Sequence, residues 1–228
     1  MIENKKEFFG GFGLMIAFVI VLILFFSPIF RGQNGLDYLD NLYNSISKGS
    51  AYYIPKIKTE SDIFKGKTVG VVLAMKNIEQ AEQTARLFKS GGAETNVSGD
   101  TLRVKGDLGR ILETCLADAD AMYHNEGEKV SGKYGYAERQ AMYNWWKAFK
   151  EMEKDLKRQK KFRESKVISL VEKKAVESSY NYYKIEPVRI GDRIGVVVFS
   201  LIFYVVYTVW YGFAFMFMFE GWGLKLGH

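Results

Sequence analysis

Acidic residues and a histidine stand at metal-ligand spacing on one predicted helix. Asp120 and His124 are four residues apart, and Glu113 precedes Asp120 by two helical turns on the same face. Carboxylate oxygens and imidazole nitrogens are ligands for zinc and related metals. However, the helix dipole favours a histidine in the last turn in any case, and acidic residues are normal on a polar face. We therefore name Asp120, His124 and Glu113 as the candidate metal ligands and predict that no metal is bound.

Nucleophilic and nucleotide-binding chemistry find little support. Cys115 is the single cysteine and falls on an apolar helix stripe, where an inert thiol is expected. His124 and His228 are the two histidines; neither adjoins a serine or cysteine motif, and His228 is expected in solvent. Phe64–Thr68 resembles the end of a phosphate-binding loop, but Ser61 replaces the first glycine and the apolar strand follows the lysine. We predict a protein that is not an enzyme and holds no cofactor.

The charge distribution divides the chain into apolar ends and a charged middle. The 228 residues carry a net charge of +6, with 48% hydrophobic and 25% charged residues, as in an ordinary basic domain. Yet no charged side chain occurs from Phe8 to Phe30 or from Ile194 to Phe219. About 20 apolar residues allow a helix to cross a bilayer. We predict transmembrane helices over 13–30 and 194–219, which argues against a single soluble domain.

The first apolar run has the features of an uncleaved signal anchor. Lys5–Lys6 precedes it, but Ser27–Arg31 after it lacks the A-x-A pattern of small residues that a signal peptidase requires. Two spans put the tails 1–12 and 220–228 on the same side of the membrane. Positive residues around the two spans favour opposite orientations, and the first span usually dominates. We predict a two-pass protein of a bacterial inner membrane, with residues 31–193 outside the cytoplasm.

The middle of the chain begins with an amphipathic helix and linker, predicted over 31–66, and continues with a small α/β module over 67–131. In the module, strand-length apolar runs and capped helices alternate in the order βαββα, and Glu128–Ser131 is a candidate final edge strand. This order is that of a ferredoxin-like, split-βαβ module. The fold assigns no function by itself. Its central strands lack the aromatic pair of RNA-binding versions, so we predict no nucleic acid.

A long charged helical arm is predicted over 136–183, because this segment contains no proline or glycine and is rich in helix formers. Apolar residues recur every three or four positions up to Leu156, a seam typical of coiled coils, and resume out of phase after Lys160. A straight helix of this length would extend about 72 Å. Part of the arm must therefore fold back, pack against a partner or stand in solvent.

Aromatic residues beside the basic part of the arm, and in the second span, are the predicted partner contacts. Aromatic side chains are enriched in protein interfaces. The basic residues between Lys147 and Lys174 are interleaved with acidic ones, which is typical of a solvated helix face; the alternative is contact with acidic lipids or an acidic protein. The predicted partner-binding residues are Tyr143, Trp145, Trp146, Phe149, Tyr182, Tyr183, Trp210 and Phe213.

The sequence as a whole indicates an α+β membrane protein with two transmembrane helices flanking a ferredoxin-like module and a long helical arm. We expect a non-catalytic accessory or scaffold subunit that anchors a multisubunit membrane complex, such as a respiratory or other energy-transducing complex. Its partners would be other integral membrane subunits and the phospholipid bilayer. One alternative is a membrane-tethered module that senses a ligand or binds a glycan. Another is a homo-oligomer joined through the arm.

Overall fold

The structure, a computed structural model, describes residues 2–30 and 32–224. The predictions for His228 and for the end of the tail 220–228 therefore lie outside the described residues. The chain forms two compact units: unit one consists of 1–49 and 187–228, and unit two of 50–186. The predicted mixed α+β class is confirmed, since the described residues are mostly helical and contain a small three-stranded sheet.

The regular elements are numbered along the chain. The strands are β1 Thr68–Ala74, β2 Glu94–Ser98 and β3 Thr101–Asp107. The α-helices are α1 Lys5–Phe26, α2 Gly35–Ser50, α3 Ile54–Ser61, α4 Ile78–Ser90, α5 Leu108–Tyr123, α6 Gly127–Tyr134, α7 Glu138–Arg158, α8 Phe162–Val171, α9 Glu177–Tyr182 and α10 Ile194–Gly221. A π-helical turn, Glu172–Val176, joins α8 to α9, and 3₁₀ turns occupy Asp62–Phe64 and Ile190–Arg193.

In unit one, α1 and α10 pack against each other where small residues allow their backbones to approach. A Cβ placed on Gly11 would lie 2.7 Å from the backbone nitrogen of Met218 and 2.8 Å from the carbonyl oxygen of Ala214. At the other end of the contact, a Cβ on Gly221 would clash with the backbone nitrogen of Phe8. Early residues of α1 thus meet late residues of α10, so the two helices are antiparallel.

Aromatic side chains fill the middle of the same helix pair. Phe18 of α1 is buried, with its ring centroid 4.7 Å from that of Tyr207 and 5.4 Å from that of Tyr211. Trp210 donates a hydrogen bond from Nε1 to the carbonyl oxygen of Leu14 over 3.1 Å. The only polar atom of the indole therefore has a partner inside the contact, as burial of a Trp requires.

The predicted amphipathic helix near the start of the middle segment is confirmed as α2. The Asn34 side chain accepts a hydrogen bond from the backbone N–H of Asp37 over 2.8 Å, which satisfies a free donor in the first turn. Leu42 is buried on its apolar face. The hydroxyl groups of Tyr43 and Ser200 are hydrogen-bonded over 2.6 Å, so α2 is connected to α10 within unit one.

The sheet of unit two has the order β1-β3-β2, with both neighbouring pairs antiparallel. Residues of β1 alternate between exposed and buried, because one face of the sheet covers the core. A two-residue turn joins β2 to β3 as a hairpin. Its turn places Gly99 at φ +61°, a backbone conformation that glycine adopts without steric cost.

The predicted edge strand at Glu128–Ser131 is wrong, because these residues belong to helix α6. Gly127, Val130 and Tyr134 are buried at spacings of three and four residues, which puts them on one face of a helix, whereas a strand would place Gly127 and Val130 on opposite sides. Gly135 ends α6 in the left-handed conformation at φ +77°, as is usual for a C-terminal cap. Among the described residues, the sheet has no fourth strand, and side chains of α7 lie along the free edge of β1 instead.

The predicted arm folds back on itself within unit two. Helix α7 ends at Arg158, Lys160 adopts a positive φ of 59°, and α8 begins two residues later. This reversal explains why the apolar seam changes phase there. Side chains from both sides of the turn, such as Met152 and Ile168, are buried in one core with the sheet and α5. The arm thus supplies much of the core of its own unit.

Candidate functional site

An aromatic-lined pocket of about 310 Å³ opens on unit two between α7 and the segment formed by the π turn and α9. Helix α7 contributes Tyr143 and Trp146, which stand three residues apart and therefore on one helical face. We call it the aromatic pocket, and its lining residues are Tyr143, Trp146, Val176, Glu177, Tyr180 and Asn181. Glu177 is the one charged residue among them.

Trp146 forms the centre of the aromatic pocket. Its ring stacks on that of Tyr143, with centroids 5.7 Å apart and an interplanar angle of 27°. Its Nε1 donates a hydrogen bond to Glu177 Oε1 over 2.9 Å. Lys150 Nζ lies 5.4 Å from the centroid of the indole. Tyr143, Glu177 and Lys150 thus hold the indole in place. The part of the indole that lines the pocket therefore belongs to a preformed site.

The π turn places a second carboxylate behind the aromatic pocket. The backbone N–H of Glu177 donates to the carbonyl oxygen of Glu172, five residues earlier, instead of four as in an α-helix. The Glu172 side chain has no exposed surface. Its Oε1 lies 3.0 Å from Lys150 Nζ, and its carboxyl group also interacts with that of Glu177.

Burial and the neighbouring carboxylate both act on the ionisation of Glu172. Removal from water raises the pKa of Glu172 above its ordinary value, and the nearby Glu177 raises it further, although Lys150 partly opposes this shift. The same ion pair holds the pKa of Lys150 above its ordinary value, chiefly through its hydrogen bond to Glu172. One ion pair, Lys150 with Glu172, therefore lies beside the aromatic pocket, and Glu177 is the carboxylate that lines it.

Tyr180 closes the pocket on the α9 side. The guanidinium of Arg139 lies 5.7 Å from the centroid of the Tyr180 ring and 5.6 Å from that of Tyr183. Arg139 itself does not line the pocket. Like Lys150 over Trp146, Arg139 is attracted to the negative face of an aromatic ring.

A polar cleft of about 600 Å³ lies next to the aromatic pocket, between α4 and α7, and shares Tyr143 with it. Hydrogen bonds among amide side chains stabilise the floor of this cleft. Asn144 Oδ1 accepts hydrogen bonds from Gln80 Nε2 over 3.1 Å and from Gln140 Nε2 over 2.9 Å, while Asn144 Nδ2 donates to Gln83 Oε1 over 3.1 Å. Because these amides are already paired with one another, they stabilise the packing of α4 on α7.

Two of the predicted partner contacts on the arm, Trp145 and Phe149, lie in the core instead. Both have no exposed surface, because their face of α7 points toward the sheet and α5. Trp145 Nε1 donates to the buried carboxylate of Asp118 over 2.9 Å. A partner protein has no access to them in the folded unit. Tyr143, by contrast, is 41% exposed, and Trp146 is half-buried at the aromatic pocket.

The other predicted partner-binding residues also differ in how far they are buried. Tyr183 is buried, and its hydroxyl donates to Glu138 Oε1 over 2.9 Å, so its role is also structural. Tyr182 is half-buried against the same core. In unit one, Trp210 is half-buried and bonded to Leu14, whereas Phe213 is exposed and stacks on Phe217.

The residues proposed as metal ligands do not converge. Asp120 Oδ1 accepts a hydrogen bond from the Tyr52 hydroxyl over 2.7 Å and lies 3.3 Å from His124 Nδ1, while Glu113 lies 3.9 Å from Lys65 Nζ. Within residues 2–30 and 32–224, no group of three or more His, Cys, Asp or Glu side chains is arranged to hold a metal ion. Cys115 is buried, and burial raises the pKa of its thiol.

Sequence reasoning missed the part that Glu172 and Glu177 take in the site, whereas Tyr180 stood among the aromatic residues expected at an interface. In an α-helix, residues five positions apart point in different directions, so the pattern gave no reason to pair the two glutamates. No protein-family model, curated protein or solved structure matches the chain. The aromatic pocket is therefore interpreted from its own geometry.

Proposed function

We propose that this chain is a membrane-anchored, non-catalytic accessory or scaffold subunit of a multisubunit membrane complex. The observation that carries the proposal is the surface of α1 and α10. Both helices are long and apolar enough to cross a membrane. Yet only 11% of an 18-residue apolar stretch of each helix is buried within the chain. The core helix of a soluble protein would be mostly buried, so these two helices need lipid or other helices around them.

The interior of the helix pair supports the same proposal. Within a bilayer, helices associate through close packing of small residues and through hydrogen bonds, since hydrocarbon offers no hydrophobic driving force. Gly11 and Ala214 provide the close approach, and Trp210 provides the hydrogen bond to Leu14. Exposed aromatic residues such as Phe213 remain for lipid or for neighbouring helices. We propose a two-pass protein in a bacterial inner membrane, with residues 31–193 outside the cytoplasm.

Unit two supplies the partner-binding part of this proposal. We regard it as a derivative of the ferredoxin-like module in which α7 replaces the fourth strand at the edge of β1. Tyr143 is exposed and Trp146 is half-buried on one face of α7, and such residues are typical anchors of protein interfaces. An energy-transducing complex remains our suggested host.

Membrane extraction and cross-linking test the proposal. The full chain should stay in the membrane pellet after alkaline carbonate treatment. A photo-cross-linking amino acid at position 143 should capture other membrane subunits in cells, whereas the same group at Glu82, an exposed residue of α4, should not. Release by carbonate would refute the membrane anchor. A lone, uncross-linked chain after purification in gentle detergent would refute the accessory-subunit role.

A second candidate function is a membrane-tethered module that senses a small ligand. The preformed aromatic pocket favours it, because concave, largely apolar sites with a few polar groups are where small ligands bind. Ligand binding by the purified full chain, without any partner protein, would distinguish this candidate from the scaffold role.

A further inference from the structure

We infer that the aromatic pocket binds the quaternary ammonium group of a small organic cation. The inference deepens the second candidate function, since it names the chemical class of ligand for the same pocket. It depends on three features of the site: the aromatic rings, the sign of the charge and the hydrogen bonds already made there.

The rings provide the attractive surface. Tyr143, Trp146 and Tyr180 line one pocket, and the negative face of an aromatic ring attracts a cation within about 6 Å of its centroid. Two side chains of the protein already make this interaction at the same rings, Lys150 at Trp146 and Arg139 at Tyr180. Neither cation lines the pocket, so the pocket itself holds no positive side chain.

The charge beside the rings favours a cation over an anion. Glu177 is the one charged lining residue, and the buried Glu172 lies behind it. Lys150 is paired with Glu172 over 3.0 Å, whereas Glu177 forms no ion pair among the described residues. Its Oε1 accepts a hydrogen bond from the neutral indole of Trp146. A carboxylate or phosphate ligand would be repelled by the same group.

The hydrogen bonds favour a quaternary over a primary ammonium group. A primary ammonium carries three N–H donors, each of which needs an acceptor when it leaves water. Three of the other lining residues are aromatic and Oε1 of Glu177 already accepts from Trp146, so a primary ammonium would depend on Glu177 Oε2, the Asn181 amide oxygen and the tyrosine hydroxyls. A quaternary ammonium has no N–H donor and is weakly hydrated, so aromatic faces and one carboxylate are sufficient for it.

The test uses the full chain in a nonionic detergent, labelled with ¹⁵N at the tryptophan indoles. Choline is added while the indole signals of Trp145, Trp146, Trp210 and Trp222 are recorded, with the signal of Trp146 assigned from Trp146→Phe. We expect the Trp146 signal to shift with a dissociation constant of about 1 mM, as for a few cation–π contacts. The neutral isostere 3,3-dimethylbutan-1-ol should bind at least about fivefold more weakly, because it lacks the charge.

Two variants and a lipid probe complete the test. Glu177→Gln should weaken choline binding at least about fivefold, whereas Glu82→Gln, on the exposed face of α4, should not change it. Tyr143→Leu replaces an exposed ring and should weaken binding without unfolding unit two. Dihexanoylphosphatidylcholine below its micellar concentration, compared with free choline, shows whether a lipid headgroup or a free solute is preferred.

The inference is overturned if choline leaves the Trp146 signal unchanged, if the neutral alcohol binds equally well, or if Glu177→Gln binds choline as the wild type does. None of these results bears on carbonate extraction or on cross-linking at position 143. Failure of the ligand inference is therefore distinguishable from failure of the membrane-subunit proposal.

Discussion

Asp155 of α7 accepts a hydrogen bond on Oδ2 from the backbone N–H of Val72, over 3.2 Å, at the edge of the sheet. Four residues later on the same helix, Gln159 Nε2 donates to the carbonyl oxygen of Gly70 over 2.8 Å and to Asp155 Oδ2 over 2.8 Å. Two side chains of a helix thus satisfy backbone groups of β1 that an additional strand would otherwise use. Unpaired edge groups invite association with other strands, so this contact also protects the edge.

Loss of this edge contact is expected to weaken the fold modestly. Asp155→Ala removes one hydrogen bond to a charged acceptor in a partly exposed position, so the free energy of unfolding should fall by about 1 kcal/mol. Thermal unfolding of the full chain in detergent, followed by circular dichroism, measures the change. Glu82→Ala, which alters an exposed acidic residue away from the sheet edge, is the control and should have little effect. Equal stability of wild type and Asp155→Ala would show that water replaces the carboxylate at no cost.

The buried carboxylate of Asp118 should matter much more. It accepts hydrogen bonds from the Tyr134 hydroxyl over 2.5 Å, from Trp145 Nε1 over 2.9 Å and from Lys133 Nζ over 2.8 Å. Asp118→Ala leaves two buried donors without an acceptor, so we expect the free energy of unfolding to fall by about 3 kcal/mol. The half-exposed Asp120, two residues further along α5, provides the matched control Asp120→Ala. Similar losses for both variants would contradict the proposed importance of burial.

The pH dependence of stability should change when Glu172 is replaced. The pKa of Glu172 is raised in the folded chain. As the pH rises through the ordinary glutamate pKa near 4.5, the carboxyl group therefore loses its proton in the unfolded state before it does so in the folded state. This residue therefore makes the wild type less stable as the pH rises, until the pH exceeds the folded-state pKa. Glu172→Gln keeps the shape but does not titrate. The melting temperature of Glu172→Gln minus that of the wild type should therefore increase from pH 4.5 to pH 8.

The matched control for this pH experiment is Glu153→Gln, since Glu153 also lies near Lys150 but is paired with Lys157 on α7. Other titrating groups are common to the wild type and the variant, so they cancel when the two melting temperatures are subtracted. A difference between wild type and Glu172→Gln that stays constant with pH would contradict the raised pKa of Glu172.

Adjacent glycines in α1 provide a test of the helix pair. Gly11→Ala adds a Cβ at 2.7 Å from the backbone of Met218, so the helices must separate, at a cost of about 1–3 kcal/mol. Gly10→Ala adds a Cβ with no atom within 4 Å and should stabilise the helix by up to about 1 kcal/mol. The melting temperature in detergent and the fluorescence of Trp210, which is bonded to Leu14 in this contact, report the change. Equal effects of the two substitutions would refute the close packing.

Elements whose signals lie within a few neighbouring residues were predictable from the sequence. The Asn77 side chain caps α4 by accepting from the backbone N–H of Gln80 over 2.8 Å, and Gly99 supplies the turn of the hairpin. These features depend on local hydrogen bonds and on the backbone freedom of glycine. The strand predicted at Glu128–Ser131 was wrong because a short polar segment has no clear hydrophobic period. Packing decides its helical conformation, since Val130 and Tyr134 are buried within unit two.

The candidate site was only half predictable for the same physical reason. Tyr143 and Trp146 were identified because they are aromatic and lie beside the basic part of the arm. Trp145 and Phe149 carried an equal aromatic signal, yet both are buried, since periodicity shows which residues share a face and not what covers that face. Tyr180 and Glu177 reach Trp146 only because the chain reverses at Lys160.

The sequence by itself determined the two apolar helices, the caps, the hairpin and the excess of charge in the middle of the chain, because composition and near-neighbour contacts control each of them. The tertiary structure decided which aromatic residues remain at the surface, what covers the edge of β1 and how Glu172 and Glu177 come together. These features depend on contacts between residues far apart in the chain, such as Trp146 and Glu177. Their free energy arises only when the whole of unit two has packed.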